Sequence, residues 1–280
     1  MKHSLNTPFI PHINNQDFTR VTKLLRKFFT DKGYVEVYTQ NRLSILAACE
    51  DPNTISTFNY NNFLWPLPQT GQMWLEHELL NSDDNYEGYF CLSTSYRNEP
   101  NPILGRHCLI FPMFEFESYG DLNTLEKLLV ELLDYLGFVP PVIKEYEDIS
   151  NEYNESIITS KVESMLNKDY GSNVFIKNFP ERSNPFWNMK RTNDTANKID
   201  VILHGHETIG SAERETDTEI MRNRFFSIED GKYADKIITT FGYSRVIEEL
   251  NEFLSNRFIK RFGGGIGITR LINAMYNSNI

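Results

Sequence analysis

Along residues 17–32, Phe18, Val21, Leu24, Leu25 and Phe28 recur at helical spacing between polar positions, which predicts an amphipathic helix. Gly33 follows where a helix C-cap is expected, and 34–38 (YVEVY) reads as a short strand. A second helix is predicted over 122–136; it stops at Gly137, with Pro140 and Pro141 just beyond. Residues 88–95 and 110–118 are aromatic and β-rich, and the turn-forming Pro100, Pro102 and Gly105 between them suggest a long hairpin loop. Residues 198–203 and 207–212 read as two further short strands, and 245–258 as a helix. The glycine-rich 263–270 reads as a strand passing into a final helix. Helices interleaved with such strands predict an α+β fold, an antiparallel sheet flanked by helices with 263–270 at its centre. No repeat, low-complexity tract or linker divides the chain, so residues 1–280 are expected to form one domain.

Composition narrows the function classes. Twenty Phe and fourteen Tyr supply ample core material. The net charge of −10, with basic residues scattered, disfavours extended contact with nucleic acid while leaving room for a local anion site. No run approaches the ~18–20 apolar residues of a membrane span, and the N-terminus lacks the apolar stretch of a signal peptide. Cys49, Cys91 and Cys108 are odd in number and share no metal-ligand spacing. The expectation is a cytoplasmic protein with reduced thiols, and neither a disulfide scaffold nor a zinc ribbon.

Three clusters carry candidate chemistry. GGGIGITRL (263–271) is followed by no Lys, which excludes a P-loop, and it lacks the downstream acidic residue of a dinucleotide fold. A close approach of backbones explains the glycines as well as a ligand does, but Arg270 just beyond them can reach a phosphate bidentately. The hairpin carries Arg97, Glu99, Arg106, His107, Phe111, Glu115 and Glu117: two arginines on opposite arms to clamp a polyphosphate and an aromatic to stack on a base. In DVILHGHETIGSAERE (200–215), Asp200 and Glu207 lie seven residues apart across a glycine turn, which suits two carboxylates holding magnesium. His204 and His206 form no HExxH helix and have no evident third ligand for zinc, and Arg214 can bind a carboxylate.

Together these blocks resemble the motifs of class II aminoacyl-tRNA synthetases, in the subgroup for aspartate, asparagine and lysine, and most nearly the asparaginyl enzymes. STSYRNE (93–99) followed by RHCLIFPMFEFE (106–117) resembles motif 2, and FGGGIGITRL (262–271) resembles motif 3. PFWNMKR (185–191) with 200–215 resembles the segment between them, QTGQMWLE (69–76) the amino-acid-binding strand, and FFTDKGYVEVYTQ (28–40) the dimer-forming motif 1. The likeness runs from about residue 17 to residue 272. It implies that Arg97 binds the α-phosphate and substrate carboxylate, Glu99 the adenine amino group, and Arg106 with His107 the outer phosphates. Phe111 would stack on adenine, Arg270 would contact the γ-phosphate and pack against the base, and Asp200 with Glu207 would hold Mg2+. Gln72 would meet the substrate α-amino group, with Glu115 and Arg214 near its side chain.

The departures sharpen the expectation. The chain starts almost at motif 1, so the subgroup's N-terminal anticodon-binding domain is expected to be absent. Gln40 replaces the motif 1 proline of the usual dimer contact, Ile110 a glutamate, and Thr269 an acidic residue; the last change is similar to ammonia-using asparagine synthetases. Leu75 stands where aspartate-activating members have a lysine, unless it simply packs while Lys190 or another cation serves instead. The resemblance therefore implies ATP-dependent activation of an asparagine-like amino acid in a homodimer, with tRNA, ammonia, an amine, a carrier or a protein as acceptor. An aspartate–ammonia ligase and a non-catalytic synthetase paralogue are the alternatives.

Overall fold

The computed structural model describes residues 9–280 apart from 11, 40, 49–50, 83–85 and 105–106. In chain order the regular elements begin with α1 (Asn15–Asp31), β1 (Tyr34–Glu36), β2 (Thr57–Tyr60), β3 (Phe63–Pro66) and α2 (Gln72–Asn81). Next come β4 (Gly88–Tyr96), β5 (Ile110–Tyr119), α3 (Leu122–Leu136), β6 (Val142–Glu145), α4 (Tyr146–Tyr153) and α5 (Ser160–Asp169). They are followed by β7 (Asn173–Pro180), β8 (Arg191–Thr192), β9 (Thr195–Leu203), β10 (His206–Glu213) and α6 (Thr218–Ser227). The last are α7 (Lys232–Phe241), α8 (Tyr243–Leu254), β11 (Arg261–Gly267) and α9 (Ile268–Asn277).

The large sheet runs β1-β4-β5-β11-β10-β9-β7-β6, with β8 paired to β9, and β2 and β3 form a separate hairpin. The glycine strand β11 lies at the centre, antiparallel to β5 and β10. The α+β expectation holds, with one amendment: the two outer pairs, β1 with β4 and β6 with β7, are parallel. Both parallel pairs join strands with a helix between them in sequence, the crossover that parallel pairing requires.

Local chemistry sets the boundaries. The Asn14 side chain accepts from the Gln16 and Asp17 N–H groups, so α1 begins at Asn15, two residues before the start predicted at 17. Asp121 caps α3, and Gly137, at φ +91°, closes it in the left-handed region that glycine enters freely. The predicted strand at 34–38 ends at Glu36, and the helix predicted at 245–258 runs Tyr243–Leu254. The strand predicted over 263–270 ends at Gly267, so Arg270 sits on the first turn of α9.

The main core lies between one face of the sheet and α1, α3 and α9. Phe29 of α1 packs among Tyr34, Phe90, Phe114 and Phe116 with ring centroids 5.1–6.0 Å apart. Each such side chain contributes roughly 1.5–3 kcal/mol on burial. A second cluster joins α6, α7 and α8 around Trp187, and a third packs α4 and α5 on β7 and β9.

Candidate functional site

Strand periodicity assigns every sheet residue to one of two faces. On β5, Phe114 and Phe116 enter the main core, which puts Phe111, Met113, Glu115 and Glu117 on the other face. Register places Cys91, Ser93 and Ser95 of β4 opposite Glu115, Met113 and Phe111. The same face continues through Gly263, Gly265 and Gly267 of β11, Gly210 of β10 and Asp200 of β9. A Cβ on Gly263 would lie 1.7 Å from Glu117 Oε2, and one on Gly265 would lie 2.6 Å from Met113 Cε. The glycines therefore keep a sheet floor free of side chains, with the polar groups rising around it.

Above that floor opens a cavity of about 490 Å3 lined by Arg97, Glu99, His107, Phe111, Glu207 and Arg270, among others. Six of the seven residues expected to bind nucleotide thus meet in one place; the seventh, Arg106, lies outside the described residues. The Arg97 guanidinium stands 5.8 Å from the Phe111 ring centroid. The Arg270 guanidinium donates from Nη1 to the Glu207 carbonyl, which ties the first turn of α9 to β10 across the cavity wall. A second polar cavity, about 380 Å3, lies among Arg191, Arg224, Lys232 and Glu181 and includes none of the expected site residues. There Arg191 is bonded to Glu181 and to three backbone carbonyls.

Asp200 and Glu207 converge on Gly210, where the position of a glycine Cβ lies 3.1 Å from Glu207 Oε1 and 3.7 Å from Asp200 Oδ1. Asp200 is buried, and its Oδ1 accepts no hydrogen bond from the described residues. Its Oδ2 receives Lys198 Nζ at 2.5 Å. Burial, assisted by the neighbouring Glu207 charge and opposed by Lys198, pushes the Asp200 carboxyl up to about 7. An unsatisfied hard oxygen facing a second carboxylate fits a magnesium site that draws its remaining ligands from water or phosphate. Among the described residues no group of three or more His, Cys, Asp or Glu side chains is placed to hold a metal ion. His204 instead meets Ser278 Oγ at 2.7 Å.

Beside the cavity, under α2, lies a buried ionic network. Arg214 Nε and Nη2 approach Glu117 at 3.3 and 3.4 Å, and Arg214 Nε lies 3.8 Å from Glu76. Glu76 pairs with Arg261 at 2.6 Å and accepts from Asn188 at 2.7 Å. Gln72 Nε2 donates to Glu117 Oε2 at 3.1 Å. Burial pushes the Glu117 carboxyl up to about 8; Arg214 opposes the shift and Glu76 adds to it.

Two of the expected amino-acid-binding residues take other roles. Leu75 is fully buried in an apolar cluster with Leu79, Tyr89 and Cys91, so it packs α2 onto the sheet rather than facing the cavity. Lys190, the substitute cation, is held by Glu215 at 2.9 Å. Glu115 is buried and bound by the Thr70 and Ser93 hydroxyls and by the Gly71 N–H at 2.7 Å, so its charge braces the turn into α2. The network residues Glu76 and Arg261, and Lys198 beside Asp200, were not singled out from sequence, and Glu117 was named in the hairpin cluster without a role of its own. For Glu117 a signal existed, since the alternation FEFE places both glutamates on the face opposite the core.

A mixed sheet with its ligand face floored by glycine and ringed by arginines and carboxylates defines a class II synthetase-like catalytic domain. The family model for tRNA synthetases class II (D, K and N) matches residues 14–280, and the chain belongs to this family. Among curated proteins it is similar to an aspartate–tRNA(Asp) ligase of Pyrobaculum aerophilum, 23% identical over 218 residues, 68% of this chain and 50% of that one. Among solved structures it resembles asparaginyl-tRNA synthetase from Pyrococcus horikoshii complexed with asparaginyl-adenylate, at TM-score 0.75 and 19% identity over 94% of this chain and 65% of that one. It also resembles a putative aspartyl-tRNA synthetase from Leishmania major Friedlin, at TM-score 0.70 and 16% identity over 94% and 62%. The chain therefore spans half to two thirds of the length of these relatives. The family comprises ATP-dependent ligases. No described helix is long and apolar enough to cross a membrane.

Proposed function

We propose that the chain activates a small neutral amino acid, asparagine or a close analogue, by condensing its carboxylate with ATP to an aminoacyl-adenylate and releasing pyrophosphate. The observation that carries this reading is the meeting of Arg97, Glu99, Phe111, Glu207 and Arg270 around one cavity over the glycine floor. Phe111 and Arg270 offer the base an aromatic face and a planar cation. Arg97 stands at the same ring and would neutralise the charge that builds on the α-phosphate as the carboxylate attacks. Such a reaction needs positioning and charge neutralisation and no protein nucleophile. Asp200 and Glu207 would hold Mg2+, which supplies charge neutralisation to the phosphates when bound. Gln72 is half-buried beside Arg214 and would receive the α-amino group.

The preference for a neutral side chain rests on Arg214 rather than on Leu75. Arg214 already stands 3.8 Å from the Glu76 carboxylate and within reach of Glu117, so an aspartate side chain reaching for it would have to share that cation with a buried carboxylate. An amide can accept from Arg214 and donate to a glutamate. The second reading is aspartate activation followed by capture with ammonia; its aspartate-activating half is favoured by the similarity to an aspartate–tRNA(Asp) ligase. The acceptor could be tRNA or a smaller nucleophile. Self-association through the α1–β1 segment belongs to the same proposal, and light scattering on the purified protein checks it.

ATP–pyrophosphate exchange with asparagine and with aspartate, with and without ammonia, tests the function. Exchange with asparagine at least tenfold above aspartate, about 1.4 kcal/mol, supports the first reading. Aspartate-driven exchange with ammonia-dependent asparagine formation replaces it by the second. Amino-acid binding without exchange would make the chain a non-catalytic relative.

A further inference from the structure

Lys198 and Asp200 lie two residues apart on β9 and so share the ligand face of the sheet. Lys198 Nζ sits 2.5 Å from Asp200 Oδ2 and 3.9 Å from the centroid of the Phe179 ring, with its side chain only 20% exposed. Ala212 is its cross-strand neighbour, too small to displace it. The ammonium is thus held in place by an aromatic face and a carboxylate. The carboxylate it holds is one of the two that converge on Gly210, and its oxygen without a hydrogen bond, Oδ1, lies on the Gly210 side, 3.7 Å from the position of a Cβ there.

We infer that Lys198 is a tethered cation built into the divalent-ion site, holding Asp200 in place before the ion arrives and weakening the site for an ion that arrives without nucleotide. This rests on the assignment of Asp200 and Glu207 as ion ligands. With Lys198 present, the three side chains sum to one negative charge instead of two. At separations of a few ångströms inside a protein, a full charge changes attraction for a divalent ion by well over the energy of a tenfold affinity change. The site then binds the ion best when a triphosphate brings the missing negative charge, so ion and nucleotide enter together. Lys198 acts through Asp200 and is a positioning residue.

Mn2+ alone, titrated without nucleotide and followed by calorimetry or by its paramagnetic resonance signal, tests this at about pH 8. Lys198→Met keeps a side chain of similar length against Phe179 and removes the charge, and should tighten Mn2+ binding on the order of tenfold or more. Lys198→Arg keeps a cation and should bind within about twofold of wild type. Addition of a non-hydrolysable ATP analogue should tighten Mn2+ binding much more in wild type than in Lys198→Met. Should Lys198→Met not fold, as judged by its thermal transition, Lys198→Gln takes its place with the same expectation. Unchanged affinity in the charge-free variant overturns the inference, provided Asp200→Asn abolishes binding. Mn2+ binding that survives Asp200→Asn overturns the ion-site assignment itself, so the two failures are distinguishable.

Discussion

Arg97 shows how much a single side chain can carry when it borders a cavity rather than a core. It is half-buried just beyond β4, over the Phe111 ring, and belongs to none of the hydrophobic clusters. Arg97→Ala should therefore slow pyrophosphate exchange by about 3 kcal/mol, in line with the loss of one preorganised donor, and leave thermal stability nearly unchanged. Equal exchange rates in variant and wild type would remove Arg97 from the chemistry. Glu117 is the opposite case, an ionisable group inside the protein. Burial raises its folded-state pKa from 4.5 to about 8, so its folded form prefers the proton. The sign follows: the stability linked to this group is present below pH 4.5 and is lost as pH rises through about 8. Urea unfolding across that window should show wild-type stability falling with pH and a flatter profile for Glu117→Gln. Parallel profiles would contradict the burial argument.

At the scale of elements, the glycine strand and the helices differ in how legible they were. The α3 boundaries follow from its leucine spacing and Gly137, both local signals. The glycines of β11 signalled close approach, but what approaches is decided by register: Gly263 lies opposite Glu117 and Gly265 opposite Glu115. Gly263→Ala would force its methyl into Glu117 and to 2.6 Å from the Phe116 carbonyl position. We expect a loss of about 3 kcal/mol, together with a raised KM for the amino acid, because Gln72 and Arg214 both lean on Glu117. Gly171→Ala is the control: its φ of +95° carries strain, but nothing lies within 4 Å, so about 1 kcal/mol should be lost with no change in KM. Equal effects in the two variants, read by chemical unfolding and by kinetics, would refute the packing account.

For the whole molecule, ligand binding should register as stability. The cavity is lined by the segment after β4 and by residues of β5, β9, β10, β11 and α9, so a nucleotide there would tie together segments distant in sequence. ATP with Mg2+ at a hundred times its Kd should add about 2.7 kcal/mol to unfolding, a shift of several degrees in the thermal midpoint. Glu207→Gln should shrink the Mg2+-dependent part of that shift. A full shift in Glu207→Gln, or none in wild type, would separate the cavity from nucleotide binding.

By itself the sequence determined the family, the α+β class, the boundaries of such elements as α3, β4 and β5, and residues that meet around the cavity, while it read 69–76 as a strand where the structure has the start of α2. Those rest on short-range signals: periodicity, capping residues, and motifs whose members lie a few positions apart. Tertiary structure alone decided which of two faces Leu75 meets and which groups neutralise the buried charges. The Glu76–Arg261 and Glu117–Arg214 pairs join positions 185 and 97 residues apart, and no local pattern encodes which arginine takes which glutamate. Lys198 and Asp200 are neighbours in sequence, yet their contact matters only because strand pairing brings Glu207 to the same glycine. A side chain's type and spacing are local properties, whereas its desolvation and its partners are set by what the fold packs against it.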